Sequence, residues 1–401
     1  MARSPSRMSH GQRDSRGALA AGALLFSIGP AALMVMPMIV GVYVDELGFS
    51  GRQAGLLASV DATGMFVASL LGMVWVRTLN WRLAAMLGLG GAVAGNLLAA
   101  GAHEFTLMLA CRALASLGAG TAFAAATASL AEQSKPETAF GIGLAVETLL
   151  TMVVMALSAG IIEWQGIAGI FRMLALLAFV VALPVGWLPA RSAKTAPVGQ
   201  PPPSPDPATV APVAAGLIGT MLFYAGVLGF WVYLERIGQA AGHSNHLIGT
   251  ILAWSLAAGV LGGIGPAWLH GRGGIARPNL LAILLLMATV LAAVGKVTLP
   301  VFALSAIVFG ALWVFATAYQ AALIATLDRN GRYAVLIPAA QGAGAMIGPA
   351  AAALLIQGDE YVAVNLIAAA FLAVSLLLFR VAQRGLGPPG PVALSSNQPM
   401  E

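Results

Sequence analysis

Residues 189–212 read PARSAKTAPVGQPPPSPDPATVAP, and what flanks this segment decides the fold. It clusters Pro201, Pro202, Pro203, Pro205 and Pro207 with Arg191, Lys194 and Asp206. Such a stretch buries too little apolar surface to fold and predicts a semi-extended linker. On either side lie apolar stretches long enough to cross a bilayer, since a spanning helix needs roughly 20 apolar residues at 1.5 Å rise each. Before the linker, spans are expected near 18–44, 53–76, 83–102, 105–130, 139–162 and 167–188. After it they are expected near 213–237, 247–268, 280–297, 300–324, 333–357 and 361–379. The fold class is therefore an all-α membrane protein with twelve transmembrane helices in two six-helix, pseudo-symmetric bundles. The bundles occupy 18–188 and 213–383, the linker 189–212, and the tails 1–17 and 384–401. A large soluble catalytic domain has no room in this chain, and an enzyme is not expected.

Composition points the same way. The chain is 59% hydrophobic and 9% charged, against roughly 25% charged residues in soluble domains. Its 48 glycines suit helices that pack in lipid through small residues. The net charge of +5 is a topology signal rather than a nucleic-acid footprint. With the N-terminus in the cytoplasm, the inner tails and loops hold Arg3, Arg7, Arg13, Arg16, Arg77, Arg82, Lys135, Arg191, Lys194, Arg272, Arg277, Arg329, Arg332, Arg380 and Arg384. The outer side holds only Arg52 and Lys296, beside Asp45, Glu46, Glu104, Glu163, Asp359 and Glu360. By the positive-inside rule both termini are cytoplasmic, and a bacterial inner membrane is expected. Cys111 is the single cysteine, which excludes an intrachain disulfide framework. The polar, basic residues 1–17 precede an apolar run too long for a cleaved signal, so that run is read as the first span, kinked at Pro30.

The halves carry a weak internal repeat. FGIGLAVE at 140–147 follows one inner loop and AVLIPAAQ at 334–341 follows another, which sets Glu147 opposite Gln341. Repeats of this kind mark secondary transporters, whose substrate sites lie between the repeats near the midplane. In the fourth span, Arg112-Ala-Leu-Ala-Ser-Leu-Gly118-Ala-Gly120 resembles the Arg-then-glycines motif of the major facilitator superfamily, with Ser116 at the first glycine. After the second span, Gly72-Met-Val-Trp-Val-Arg77 resembles that family's Gly-x-x-x-Asp-Arg loop, with Val76 for the Asp and Leu79 for the next Gly. The Gly-Pro motif of antiporters is absent from span five, while Gly344-Ala-Met-Ile-Gly348-Pro349 stands in span eleven. The resemblance covers essentially the whole chain between its tails.

Ionisable residues inside a bilayer are costly and call for a partner or a function. From the span centres, Asp61 lies roughly 5 Å and Arg112 roughly 8 Å to the outer side, close enough in height to pair if spans two and four face each other. Glu147 lies about 5 Å to the inner side and is out of Arg112's reach. A buried carboxyl without a fixed partner is suited to load and release a proton; contact with a cationic substrate and helix packing beside Thr148 and Thr151 are its other readings. Arg112 reads as a packing cation or as a partner to a carboxylate or anionic substrate. Glu235 and Arg236 end span seven as an interfacial pair or gate, and Arg172 is expected to pair with Glu163. His103, His243 and His246 carry no acidic ligand beside them, so no metal is expected.

The resemblance implies that spans one, four, seven and ten line a central cavity. Tyr224 and Trp231 share one face of span seven, as Trp313 and Gln320 share one face of span ten. With Gln341 they form candidate substrate contacts for a molecule apolar or aromatic in part. The expectation is a secondary transporter of a small organic molecule, working by alternating access, coupled to protons and monomeric. The alternatives are a drug or metabolite efflux antiporter, a non-transporting sensor or scaffold, and a membrane-embedded enzyme. No Gly-x-x-x-x-Gly-Lys, Asp-x-x-x-Asp or His-Glu-x-x-His occurs, so neither ATP nor a cofactor is called for.

Overall fold

The computed structural model describes residues 16–76, 78–133, 136–191, 207–269, 274–328, 333, 336–356 and 360–385. Residues 192–206 of the linker lie outside the described residues, as do Arg3, Arg7, Arg13, Arg77, Lys135, Arg272, Arg329, Arg332 and Asp359 of the charge argument. The described residues form helices α1 (Arg16–Met34), α2 (Met36–Asp45), α3 (Gly51–Trp75), α4 (Trp81–Ala99), α5 (Phe105–Ala131) and α6 (Pro136–Ala182). The second half supplies α7 (Pro207–Ala240), α8 (Asn245–Trp268), α9 (Ala276–Ala292), α10 (Leu299–Leu327), α11 (Ile337–Leu355) and α12 (Val362–Gln383). Helices α1 and α2 make up the first span, and α6 contains the fifth and sixth. Nine described segments are long and apolar enough to cross a membrane, with α2 and α9 shorter. Gln341, the glycines and the prolines dilute the hydropathy of α11.

Pseudo-symmetry is visible in which helices pack. In the first half α5 lies against α3 and α4, α1 against α5 and α6, and α4 against α6. In the second half α10 lies against α8 and α9, α7 against α10, α11 and α12, and α9 against α12. The halves meet through α3 with α11, α6 with α8, and α2 with α7. The outer surface carries Leu71, Leu87, Leu157, Leu261, Leu304 and Leu377, all exposed, as a bilayer-facing wall requires. Exposed Trp164 and Trp187 lie near opposite ends of that wall, where indoles favour the interface.

Three local features depart from the sequence expectations. The first span is helical through Pro30, and α1 runs on to Met34. It breaks at Val35 (φ −95°, ψ 6°), just before Pro37 in the first turn of α2. Pro37 has no N–H to give the Leu33 carbonyl, so regular helical bonding cannot pass this point. Second, Pro207–Pro212, expected to be linker, forms the first turns of α7; Pro207 opens the helix, where its missing N–H has no helical acceptor, while Pro212 lies inside it and leaves one first-turn carbonyl without its bond. Third, spans five and six are joined without a loop, at Gly166 (φ 60°, ψ −150°). A side chain there would be strained and would also strike the Glu46 carboxylate. That carboxylate accepts from the Ile167 backbone N–H at 2.7 Å and so caps the restarted helix.

Candidate functional site

The first bundle holds a buried ion pair. Arg112 donates through Nε to Asp61 Oδ2 at 3.1 Å and through Nη2 to Oδ1 at 2.8 Å, with both side chains about 1% exposed. Its Nη1 reaches Asn96 Oδ1 at 2.7 Å, and the Asn96 amide donates to the Ala92 carbonyl. The guanidinium lies 5.0 Å from the Phe171 ring centroid, a favourable cation–π distance. One fork thus joins α3, α4, α5 and α6, and two parallel bonds fix its orientation as well as its charge. A narrow space lined by Ile28, Leu33, Asp61, Asn96, Arg112 and Ser116 runs from this pair toward the α1–α2 break.

Glu147 stands apart from that network. No hydrogen bond or ion pair holds its carboxyl among the described residues; Thr151 Oγ1 donates to the Glu147 backbone carbonyl at 2.8 Å and Thr148 to Leu144. Across the halves, the Tyr224 phenol lies within electrostatic range of the Glu147 carboxyl. Tyr224 shares a hydrogen bond with Thr317 at 3.3 Å, and its ring stands edge-on to Trp313 with centroids 6.4 Å apart. Tyr224, Trp313 and Thr317 therefore form one wall on α7 and α10 facing a free carboxyl on α6. Gln320 lies one turn further along α10, fully buried, and neither amide atom has a hydrogen-bond partner among the described residues. Gln341, half-buried near the start of α11, has no hydrogen-bond partner there either.

Trp231, on the same helical face as Tyr224, packs on the other side of Trp313 with ring centroids 6.1 Å apart. It is fully buried, stacked on Phe309 at 6.4 Å, and its indole N–H lies 3.2 Å from the carbonyl oxygens of Leu33 and Met34. The indole thereby supplies from α7 the donor that Pro37 cannot. Nearby, Tyr233 donates to the Gly51 carbonyl at 2.9 Å, and Arg236 pairs with Asp45 at 2.6 Å. No ion pair joins Glu235 to Arg236; the Glu235 Oε1 accepts from Gln239 at 2.6 Å. The Trp231, Tyr233 and Arg236 bonds join the halves at the end of the bundle away from the termini. Two further expectations shift. Arg172 bonds across the Gly166 turn to Gln165 at 3.4 Å and forms no ion pair with Glu163. The His243 ring sits 3.0 Å from the Val297 carbonyl and packs on Phe302, away from His246.

With this geometry in view, the comparisons decide the family. The model of the Major Facilitator Superfamily matches residues 19–328. The chain belongs to the major facilitator superfamily. Among solved structures, a mutant of the nucleoside transporter NupG is similar at 16% identity and a TM-score of 0.72, covering 92% of this chain and 100% of that one. A mutant of the peptide transporter POT gives 14% identity and 0.72, covering 96% and 99%. A bacterial homolog of the human lysosomal transporter Spinster, inward-facing and unoccupied, gives 14% and 0.68, covering 93% and 98%. At these identities the likeness shows the fold alone. No protein of curated function matches the sequence. This superfamily member is a multi-pass membrane transporter with two six-helix bundles, and it is not an enzyme.

Some members of these networks were not legible in the sequence. Asn96 is a lone amide in an apolar span, and its polarity was the only signal. Tyr233, Gln239 and Asn245 sit beside a span end, where polar residues are ordinary.

Proposed function

We propose that this transporter moves a small, partly apolar organic molecule by alternating access and that Glu147 carries the coupled proton. What supports this reading is that no hydrogen bond or ion pair holds the Glu147 carboxyl among the described residues, while Tyr224 of the other half lies within electrostatic range of it. A carboxyl inside the membrane is expensive when ionised, so it gains or loses a proton according to what faces it. The Tyr224–Trp313 wall suits an aromatic or apolar group, with Thr317 and Gln320 as polar tips that fix orientation. Charge placement in the loops supports cytoplasmic termini. On that orientation the hydrogen-bonded end faces outward and is shut. We place it in the inner membrane of a bacterium.

Proteoliposomes test the proton role. Glu147→Gln keeps the side chain's shape but cannot release a proton. Gradient-driven accumulation from a panel of radiolabelled aromatic solutes should be lost, while exchange of preloaded solute persists. Normal accumulation by Glu147→Gln would move proton carriage to Asp61 or elsewhere.

A further inference from the structure

At the end away from the termini, three oxygens converge on one point. The Gln239 Nε2 that occupies it lies 2.6 Å from Glu235 Oε1 and 3.2 Å from Asp45 Oδ2, and also bonds to Asn245 Oδ1. A primary amide nitrogen carries two hydrogens and cannot satisfy three acceptors, two of them carboxylate oxygens. The neighbouring charges are also unbalanced. The charged groups acting on Glu235 are Arg236 and Asp45, so with both carboxyls ionised two carboxylates share one guanidinium and the cluster is one positive charge short. Glu235 is 1% exposed, and its second oxygen, Oε2, is buried against Gly41 with no hydrogen-bond partner. Burying a carboxylate with bare oxygens is costly unless a cation answers it.

We propose that Asp45, Glu235, Gln239 and Asn245 bind one monovalent inorganic cation, sodium, which pins the two halves together at this end. Hard oxygen donors select a hard cation, and a shortage of one charge selects a monovalent ion over a divalent one. Withdrawal of the Gln239 side chain frees this point for the ion, and its amide then turns its oxygen toward it as a fourth ligand. The ligands come from α2, α7 and the start of α8, so an ion held here crosses the junction between bundles. Asp45 is 42% exposed, which leaves a route from solvent. Arg236, which the Tyr361 side chain also contacts, holds the far side of Asp45 and leaves Oδ2 to the site. This inference is independent of proton carriage by Glu147.

The full-length protein in lipid nanodiscs, melted in sodium, potassium or choline chloride at equal ionic strength, tests it. A saturable, sodium-selective rise in Tm is expected, as mass action requires of an ion that binds the folded state. Glu235→Gln should melt at the same temperature in all three salts. Asn245→Ala keeps every charge but removes one ligand, and should raise the half-saturating sodium concentration about tenfold. Equal melting of the wild-type protein in the three salts overturns the proposal. So does a sodium response retained by Glu235→Gln, or stabilisation by acid with none by sodium, which would assign the missing charge to a proton. If Glu235→Gln does not fold, an unchanged sodium midpoint in Asn245→Ala overturns it alone.

Discussion

At the scale of single residues, the buried pair Asp61–Arg112 was legible because two opposite charges at similar height in the membrane have few other solutions. What counting could not supply was Asn96 and Phe171, which turn the pair into a four-helix tie. Removing one partner leaves the other charge uncompensated, at about 3–5 kcal/mol in soluble proteins and less where water can be drawn into a membrane. Arg112→Ala and Asp61→Ala should each lower the melting temperature, and the double variant should recover much of the loss. Strictly additive losses in those melts would show that the pair contributes no coupling energy. Trp231 shows the opposite limit. Helical spacing put it on the same face as Tyr224, yet spacing carries no information about which neighbour covers each turn. Its indole instead completes a helix broken in the other half. Trp231→Phe keeps the stacking on Phe309 and removes the N–H, so thiol labelling between the halves at this end should speed up. Unchanged labelling would remove the indole from the gate.

Among elements, the spans themselves were readable, since length and hydropathy are properties of each stretch alone. Their irregularities depended on partners. The first span breaks before Pro37 rather than at Pro30 because Trp231 is there to take the freed carbonyl, and the turn at Gly166 is held by Glu46 from another helix. Close helix contacts follow the small-residue rule. A Cβ on Gly348 would collide with the Ala225 carbonyl of α7, where backbone touches backbone and cannot yield. Gly348→Val should therefore destabilise the second bundle by about 1–3 kcal/mol or more, read as a lower melting temperature in nanodiscs. A wild-type melt would mean that α7 and α11 are less tightly apposed than drawn here. Gly90, whose added Cβ meets nothing, is the matched control.

For the whole molecule, the account rests on two bundles that rock about a site between them, shut at one end by Trp231, Tyr233 and the Arg236–Asp45 pair. Orientation comes first. In a Cys111→Ser background, an impermeant thiol reagent should label Ser244→Cys in intact cells and spare Ser192→Cys; labelling of the linker position would invert the topology. The most direct test of alternating access coupled through Glu147 is a distance. Spin labels at Arg52→Cys and Ser244→Cys, both exposed at the shut end and on opposite halves, report its opening by pulsed electron resonance. The account predicts a short distance that gives way to a second, longer one as pH is changed, with that pH response absent in Glu147→Gln. A single distance at every pH, or the same pH response in Glu147→Gln, would contradict it.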